Sequence, residues 1–221
     1  MKKKILSVLL IMLLVASVFV LTGCDNKTTS SEVADVKSEE KEKEEEVKAA
    51  DKNDNYFIKI KGEKFKAGDK ISSLKEVGIS QDEKVLDEKV KKNTYVIGAG
   101  TLYNESKKRV LNMTPYNASD EEITVKDAVI GGLEVGEYQY DKISQEVLDL
   151  DVEVAGGIKL GSTLDDVEKV FGKTDNTYFA ESLGYTTYTY KSSEVYRSYE
   201  FTIDKDGKVA KIHWQNLVFN D

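Results

Sequence analysis

One cysteine, one histidine, one proline and one tryptophan occur in the 221 residues. A single cysteine, Cys24, excludes an internal disulfide framework, and a single histidine, His213, excludes a multi-histidine metal centre and a second histidine base. Positive charge is scarce as well: 32 Lys and Arg stand against 40 Asp and Glu, for a formal charge of −8. Such a chain repels nucleic acid and anionic headgroups, so neither is a partner reached through long-range electrostatics. Aromatic residues are missing from Asp25 to Asn55, a stretch dominated by Ser, Glu and Lys such as Ser38-Glu39-Glu40-Lys41-Glu42-Lys43. With almost nothing to bury, that stretch cannot offset its own ordering entropy. Residues 24–55 therefore read as a solvated, charged tether, with Glu/Lys pairs four apart supporting at most a short helix.

Long apolar runs are also few. The one present spans residues 5–21, broken only by Ser7 and Ser17, and follows Lys2, Lys3 and Lys4. It is shorter than the roughly 20 apolar residues of a spanning helix. A basic start, an apolar centre and small residues before a cut site describe a secretory signal over residues 1–23. Its end, Leu21-Thr22-Gly23-Cys24, resembles the lipobox of bacterial lipoproteins. The resemblance implies that the Cys24 thiol carries a diacylglyceryl group and that cleavage falls just before it. Two acyl chains suffice for stable attachment where one is marginal, so the implied partner of Cys24 is a lipid bilayer. Asp25 after the cysteine resembles a retention signal, which implies the outer face of the cytoplasmic membrane. Loss of residues 1–23 removes three lysines and no acid, taking the formal charge from −8 to −11. Acylation leaves no thiol for catalysis or metal binding.

Two later stretches read alike. One runs Gly68-Asp69-Lys70-Ile71-Ser72-Ser73-Leu74-Lys75-Glu76-Val77-Gly78, the other from Gly161 to Gly172. Each has an initial glycine, a polar start, apolar residues at helical spacing and a closing glycine, and each follows a short extended segment. The pattern points to a duplication. In the second, Ser162 is the expected N-cap with Asp165 completing a capping box, Leu164, Val167, Val170 and Phe171 form the apolar stripe of a helix over 163–171, and Gly172 is expected in the left-handed conformation. Strands are expected over 185–190, 196–203 and 209–214 from their Tyr, Thr, Val, Phe and Ile content. The last two are joined by a hairpin at Asp204-Lys205-Asp206-Gly207. Alternation puts Tyr199, Phe201 and Ile203 on one face, with Ala210, Ile212 and Trp214. Earlier, a hairpin is expected about Lys61-Gly62-Glu63, with strands over 94–102, 108–114 and 123–130. Pro115 is expected at a strand end or edge, and Gly131-Gly132 as punctuation after the last. The fold class that follows is α+β: tandem subdomains over 56–150 and 151–221, each a short helical segment packed on an antiparallel sheet.

The run Gly157-Ile158-Lys159-Leu160-Gly161-Ser162-Thr163-Leu164-Asp165-Asp166-Val167, followed by Phe171-Gly172-Lys173, resembles the helical signature of β-lactamase inhibitor protein and of the SmpA/OmlA small envelope lipoproteins. It covers about residues 157–215 and carries Thr174 where those families usually have proline. The resemblance implies a helical segment on an antiparallel sheet, two tandem copies in the inhibitor, and a protein-binding role without catalysis. It assigns no binding residue to a position here.

No catalytic set assembles from the residues. His213 shares strand parity with Lys211, opposite Ile212 and Trp214, and nothing in the sequence brings a nucleophile or orienting carboxylate to it. Asp204-Lys205-Asp206-Gly207 resembles the opening of a calcium loop but is followed by a strand instead of further oxygen ligands. Gly131-Gly132 and Gly156-Gly157 lack a phosphate-binding pattern. No metal or cofactor is expected. Tyr178, Tyr185, Tyr188, Tyr190, Tyr196 and Tyr199 are crowded together, and alternation sends half of them to the core. The remaining candidate surface is Tyr196, Ser198, Thr202 and His213 on the helix-free face, where tyrosine offers large contact area at little entropic cost. The expectation is a non-enzymatic, membrane-anchored lipoprotein that binds an envelope protein. The alternatives are a small-ligand or cell-wall-glycan receptor and a hydrolase acting through two carboxylates.

Overall fold

A computed structural model describes residues 56–66, 68–96, 100–192 and 196–217. The signal, Cys24 and the tether lie outside the described residues. Strands β1 (Ile58–Ile60) and β2 (Glu63–Phe65) form the first hairpin. Lys61 and Gly62 turn it with φ of 50° and 86°, the two positive values of a type I′ turn. The first glycine-bounded stretch then forms a 3-10 helix over Ile71–Val77 that buries Ile71, Leu74 and Val77. A spacing of three fits that helix, which has three residues per turn.

The strands of the first half are β3 (Ile79–Gln81), β4 (Lys89–Val90), β5 (Thr101–Asn104), β6 (Arg109–Tyr116), β7 (Ile123–Thr124) and β8 (Val129–Gly136). Three expectations are corrected here. The strand expected over 94–102 begins at Thr101, with Tyr95 making only an isolated bridge to Tyr116; residues 97–99 lie outside the described set. The run 123–130 is two strands split by a 3-10 turn at Val125–Asp127. Neither Pro115 nor Gly131-Gly132 ends a strand. β6 continues through Pro115 at a register shift against β8, the irregularity at which a sheet tolerates proline. Gly131 is fixed by packing, since a Cβ there would lie 2.5 Å from Leu217 Cδ2 and 2.7 Å from Tyr116 Cβ.

The second half runs α1 (Gln145–Leu148), β9 (Glu153–Val154), β10 (Ile158–Lys159), α2 (Leu164–Phe171), β11 (Thr177–Ala180), β12 (Tyr185–Lys191), β13 (Arg197–Ile203) and β14 (Val209–Asn216). Helix α2 is where the glycine pattern places it, but its cap sits one residue later than expected. Thr163 is the N-cap; its hydroxyl accepts from Asp166 N–H at 3.2 Å, and the Asp166 carboxylate accepts from Thr163 N–H at 2.9 Å. Ser162 instead accepts from Lys159 N–H. Gly172 follows at φ 76° and ψ −173°, outside the left-handed helical well and in a region open essentially to glycine alone. Of the expected stripe, Val167 is fully buried and Leu164 and Phe171 pack on the core, while Val170 is exposed above Gly156. Thr163→Ala removes this cap and is expected to cost about 1 kcal/mol, read as a lower denaturant midpoint with an unchanged slope.

Among the described residues all strand pairings are antiparallel. One sheet has eight strands in the order β11-β12-β13-β14-β8-β6-β5-β3, a second has four in the order β10-β9-β1-β2, and β4 pairs with β7. The core lies on one face of the large sheet. There Leu111, Met113, Leu133, Val135, Tyr199, Phe201, Ile212 and Trp214 meet Ile58, Ile60 and Phe65 of the small sheet, Leu74 of the 3-10 helix and Val167 of α2. Phe171 seats α2 by ring contacts of 5.3 to 5.4 Å with Tyr190, Tyr199 and Phe201. The Tyr199 hydroxyl ties the two sheets together, donating to Phe57 C=O at 2.7 Å and accepting from Phe57 N–H at 2.9 Å. The fold is thus α+β, with few short helices against antiparallel sheets.

Candidate functional site

Alternation that sends the apolar side chains of the large sheet inward sends a polar set outward. Ser198, Glu200 and Thr202 of β13 stand opposite Gln215, His213 and Lys211 of β14, and Glu134 of β8 stands opposite His213 from the other side. Asn112 of β6 follows opposite Glu134. Leu74 of the first 3-10 helix and Val167 of α2 pack on the opposite, core face.

The candidate residues are placed differently from one another. Ser198, Thr202 and His213 share the face, but Ser198 and Thr202 are buried there, at 7% and 1% exposure. The Thr202 hydroxyl lies 3.2 Å from that of Thr187 on β12. Tyr196 is 53% exposed in the turn before β13, with φ of 71°. His213 is half-buried, and its Nδ1 lies 3.3 Å from Glu200 Oε2. Cross-strand register therefore supplies the orienting carboxylate for which local sequence gave no cue.

The groups that dominate the centre of the face are Glu134 and Lys211. Lys211 Nζ donates to Glu134 Oε2 at 3.1 Å, and Asn112 Nδ2 donates to Glu134 Oε1 at 3.1 Å. Arg109 in turn donates to Asn112 Oδ1 at 2.9 Å. Burial opposes ionisation of Glu134, yet the Lys211 charge and these hydrogen bonds outweigh it and hold its pKa below the usual carboxylate range. Glu200 is also lowered, first by its hydrogen bond with His213 and against its burial. For Lys211 burial favours the neutral amine, but Glu134 prevails and the pKa is raised. Lys211 Nζ also lies 4.5 Å from the centroid of Tyr138, a cation–π distance. Tyr138, 45% exposed, stacks on Tyr185 with centroids 4.8 Å apart and planes 13° apart. Farther out, Tyr178 of β11 is 65% exposed opposite Thr187.

An open depression of about 330 Å³ lies beside this network, lined by Asn112, Thr114, Gly132, Glu134 and His213 among others. A general acid needs a carboxyl held protonated near neutral pH, with a raised pKa; Glu134 and Glu200 are both shifted the other way. The arrangement is chemically suited to recognition by fixed charges and oriented hydrogen bonds. Among the described residues no group of three or more His, Cys, Asp or Glu is placed to hold a metal ion. Comparison of the chain with protein-family models, curated proteins and solved structures returns no match.

Proposed function

We propose that this chain is a membrane-anchored extracytoplasmic lipoprotein that binds another envelope protein, as a scaffold or inhibitor-like module without catalysis, through the helix-free face of its large sheet. One observation carries the reading: the core covers one face of the large sheet, apart from its exposed edge strand β11, while the other presents exposed tyrosines around a set of fixed charges. Surfaces that combine aromatic anchors with oriented polar groups are the ones that bind proteins tightly. The basic start, apolar run and Leu21-Thr22-Gly23-Cys24 support the anchor, and the charged segment to residue 55 supports a spacer that lifts the domain away from the bilayer.

We also read the folded part as two tandem units meeting near residue 150. Strands β1 and β2, the 3-10 helix, then β3, β5, β6 and β8 repeat as β9 and β10, α2, then β11 to β14. Strand order supports this, since both sheets read alike outward from the β8–β14 and β1–β9 seams. A duplicated unit that pairs edge to edge with itself makes one wide sheet, which gives a single continuous docking face.

The stacked Tyr138 and Tyr185 beside hydrogen-bonding groups favour one second reading, a cell-wall glycan bound on the same face. Two experiments test the proposal. Metabolic labelling with a fatty-acid analogue is expected to mark the parent and to vanish in Cys24→Ser; label that persists contradicts the anchor. Crosslinking in intact cells is expected to recover one dominant envelope protein, whereas purified peptidoglycan fragments that bind in its place support the glycan reading.

A further inference from the structure

The large sheet ends on β3 at one side and on β11 at the other, and the two edges differ. Strand β3 has two of its three side chains buried. Strand β11 has three of four exposed, reads Thr177-Tyr178-Phe179-Ala180 without a charge, and keeps a regular register on β12. Edge strands are ordinarily protected by lysine, proline, a bulge or a cover; among the described residues β11 shows none of these. Phe179 stands opposite Thr186, which stands opposite Ile203, so it shares the core side of the sheet. It is nevertheless 63% exposed, because the core stops short of this strand. Thr189 N–H donates to Asn176 C=O at 2.9 Å. Bonded and unbonded pairs alternate along an antiparallel ladder. Tyr178 and Ala180 therefore turn their backbone groups to β12, and Phe179 turns its N–H and C=O outward. Thr177 N–H, outward by the same alternation, donates to Asp175 C=O of its own chain.

We propose that β11 is the pairing edge for a second copy of this chain, with the two β11 strands antiparallel about a two-fold axis at Phe179. The Phe179 N–H of each copy donates to the Phe179 C=O of the other. This axis sets Phe179 against Phe179 on the core side, an aromatic cross-strand pair. On the open side it sets Tyr178 beside Ala180 of the second copy, a bulky side chain against a small one. An axis at Thr177 instead sets the Phe179 ring against the Asp175 carboxylate of the second copy. An axis at Tyr178 or Ala180 is excluded, because their backbone groups are committed to β12. With the axis at Phe179 the two Glu181 residues stand four residues apart along the strands, about 14 Å, beyond the screening length of about 8 Å at physiological ionic strength. The contact is isologous and closed, so assembly stops at two copies. The axis is normal to the sheet, so both copies keep the core on one side and the open face on the other. Tyr56 packs on Tyr199 at the core side, with ring centroids 4.6 Å apart, so both chains enter from the same side, as two chains held on one bilayer require. One strand pair buries less than the roughly 1,000 Å² of a stable interface, so the pair is transient in dilute solution and gains from being tethered together. That gain rests on the anchor reading above, whereas the register rests on β11 itself.

The test expresses two full-length copies with different epitope tags in the same cells, each with a photocrosslinking amino acid at Thr177. The proposed register places that position opposite Glu181 of the second copy, and both residues are exposed. A crosslinked product that carries both tags is expected from Thr177 and not from Ser80 on β3. Phe179→Lys puts like charges across the axis at an exposed position, and is expected to lower the two-tag product at least about tenfold. If Phe179→Lys does not fold, the comparison of Thr177 with Ser80 in the otherwise unaltered chain decides alone. No two-tag product from Thr177, equal product from both positions, or an undiminished yield in folded Phe179→Lys overturns the pair. So does a product from Thr177 that joins one tag to a different protein, since an extended segment of that protein then occupies the edge. The pair and the docking reading fail separately. Two-tag product from Thr177 without an envelope protein crosslinked from Tyr138 removes docking and leaves the pair, and the reverse result removes the pair and leaves docking.

Discussion

Trp214→Ala is expected to lower the unfolding free energy by about 3–5 kcal/mol, the range for removing a large aromatic from a close-packed core. Trp214 is fully buried on β14, opposite Tyr199 on β13 and Leu133 on β8, with the Tyr56 ring 6.3 Å away. Strand β14 joins the two halves of the large sheet, so the cavity opens at the seam and both halves lose contacts. Packing carries the effect, because the indole N–H has no hydrogen-bond partner among the described residues. Trp214→Phe deletes that unpaired donor along with the second ring, and is expected to cost clearly less than the alanine variant. The chain has no other tryptophan, so the comparison is made by circular dichroism in denaturant. A loss under about 1 kcal/mol for Trp214→Ala contradicts a single core spanning the seam.

Glu134→Ala is expected to cost about 1–3 kcal/mol near neutral pH, less than for a fully buried pair because Glu134 keeps 32% of its side chain exposed while Lys211 keeps 16%. The variant leaves the largely buried Lys211 ammonium with Tyr138 and the more distant Glu200 carboxylate in place of its ion-pair partner. The pH dependence follows from the two shifts. Glu134 has a lowered pKa in the folded chain, so its contribution is present above the unfolded value of about 4.3 and is lost as pH falls through the lower folded value. Lys211 has a raised pKa, so its contribution is present below the unfolded value of about 10.4 and is lost as pH rises through the higher folded value. Parent and variant are therefore expected to differ most between these limits and to converge toward both extremes. A difference that grows as pH falls below about 4 contradicts the ion pair.

The second half of the fold was legible in the sequence because its cues are local. Asp204-Lys205-Asp206-Gly207 turns as expected, with Asp204 accepting from the N–H groups of Asp206 and Lys208 and Gly207 at φ 73°. Alternation placed Tyr199, Phe201, Ile212 and Trp214 in the core, where they lie. Helix α2 was bracketed by Gly161 and Gly172, while its cap slipped by one because Ser162, Thr163, Asp165 and Asp166 offer two overlapping capping boxes. Only packing decides between them: Ser162 is drawn back to Lys159 by the turn after β10.

The centre of the candidate site was not legible, for a different reason. Lys211 and Glu134 are 77 residues apart, and only the antiparallel register of β14 on β8 brings them together. Parity put Lys211 and His213 on one face without naming what stands across from them. Tyr138 gave no strand signal, since it follows β8 and folds over Lys211 from a connecting segment. Burial of Thr202 was hidden for the same reason: its cover comes from neighbours fixed by register. A charge at Thr202 would test the fold rather than binding, so Tyr138 and Tyr178 are the positions that probe the surface.

The most direct test places a photocrosslinking amino acid, in intact cells, at Tyr138 or Tyr178 on the helix-free face, or at Glu76 in the exposed part of the covering 3-10 helix. The account predicts that one and the same envelope protein is crosslinked from Tyr138 and Tyr178 and is absent from Glu76. Equal capture from all three positions, capture from Glu76 alone, or capture from none contradicts a docking surface on the open sheet face.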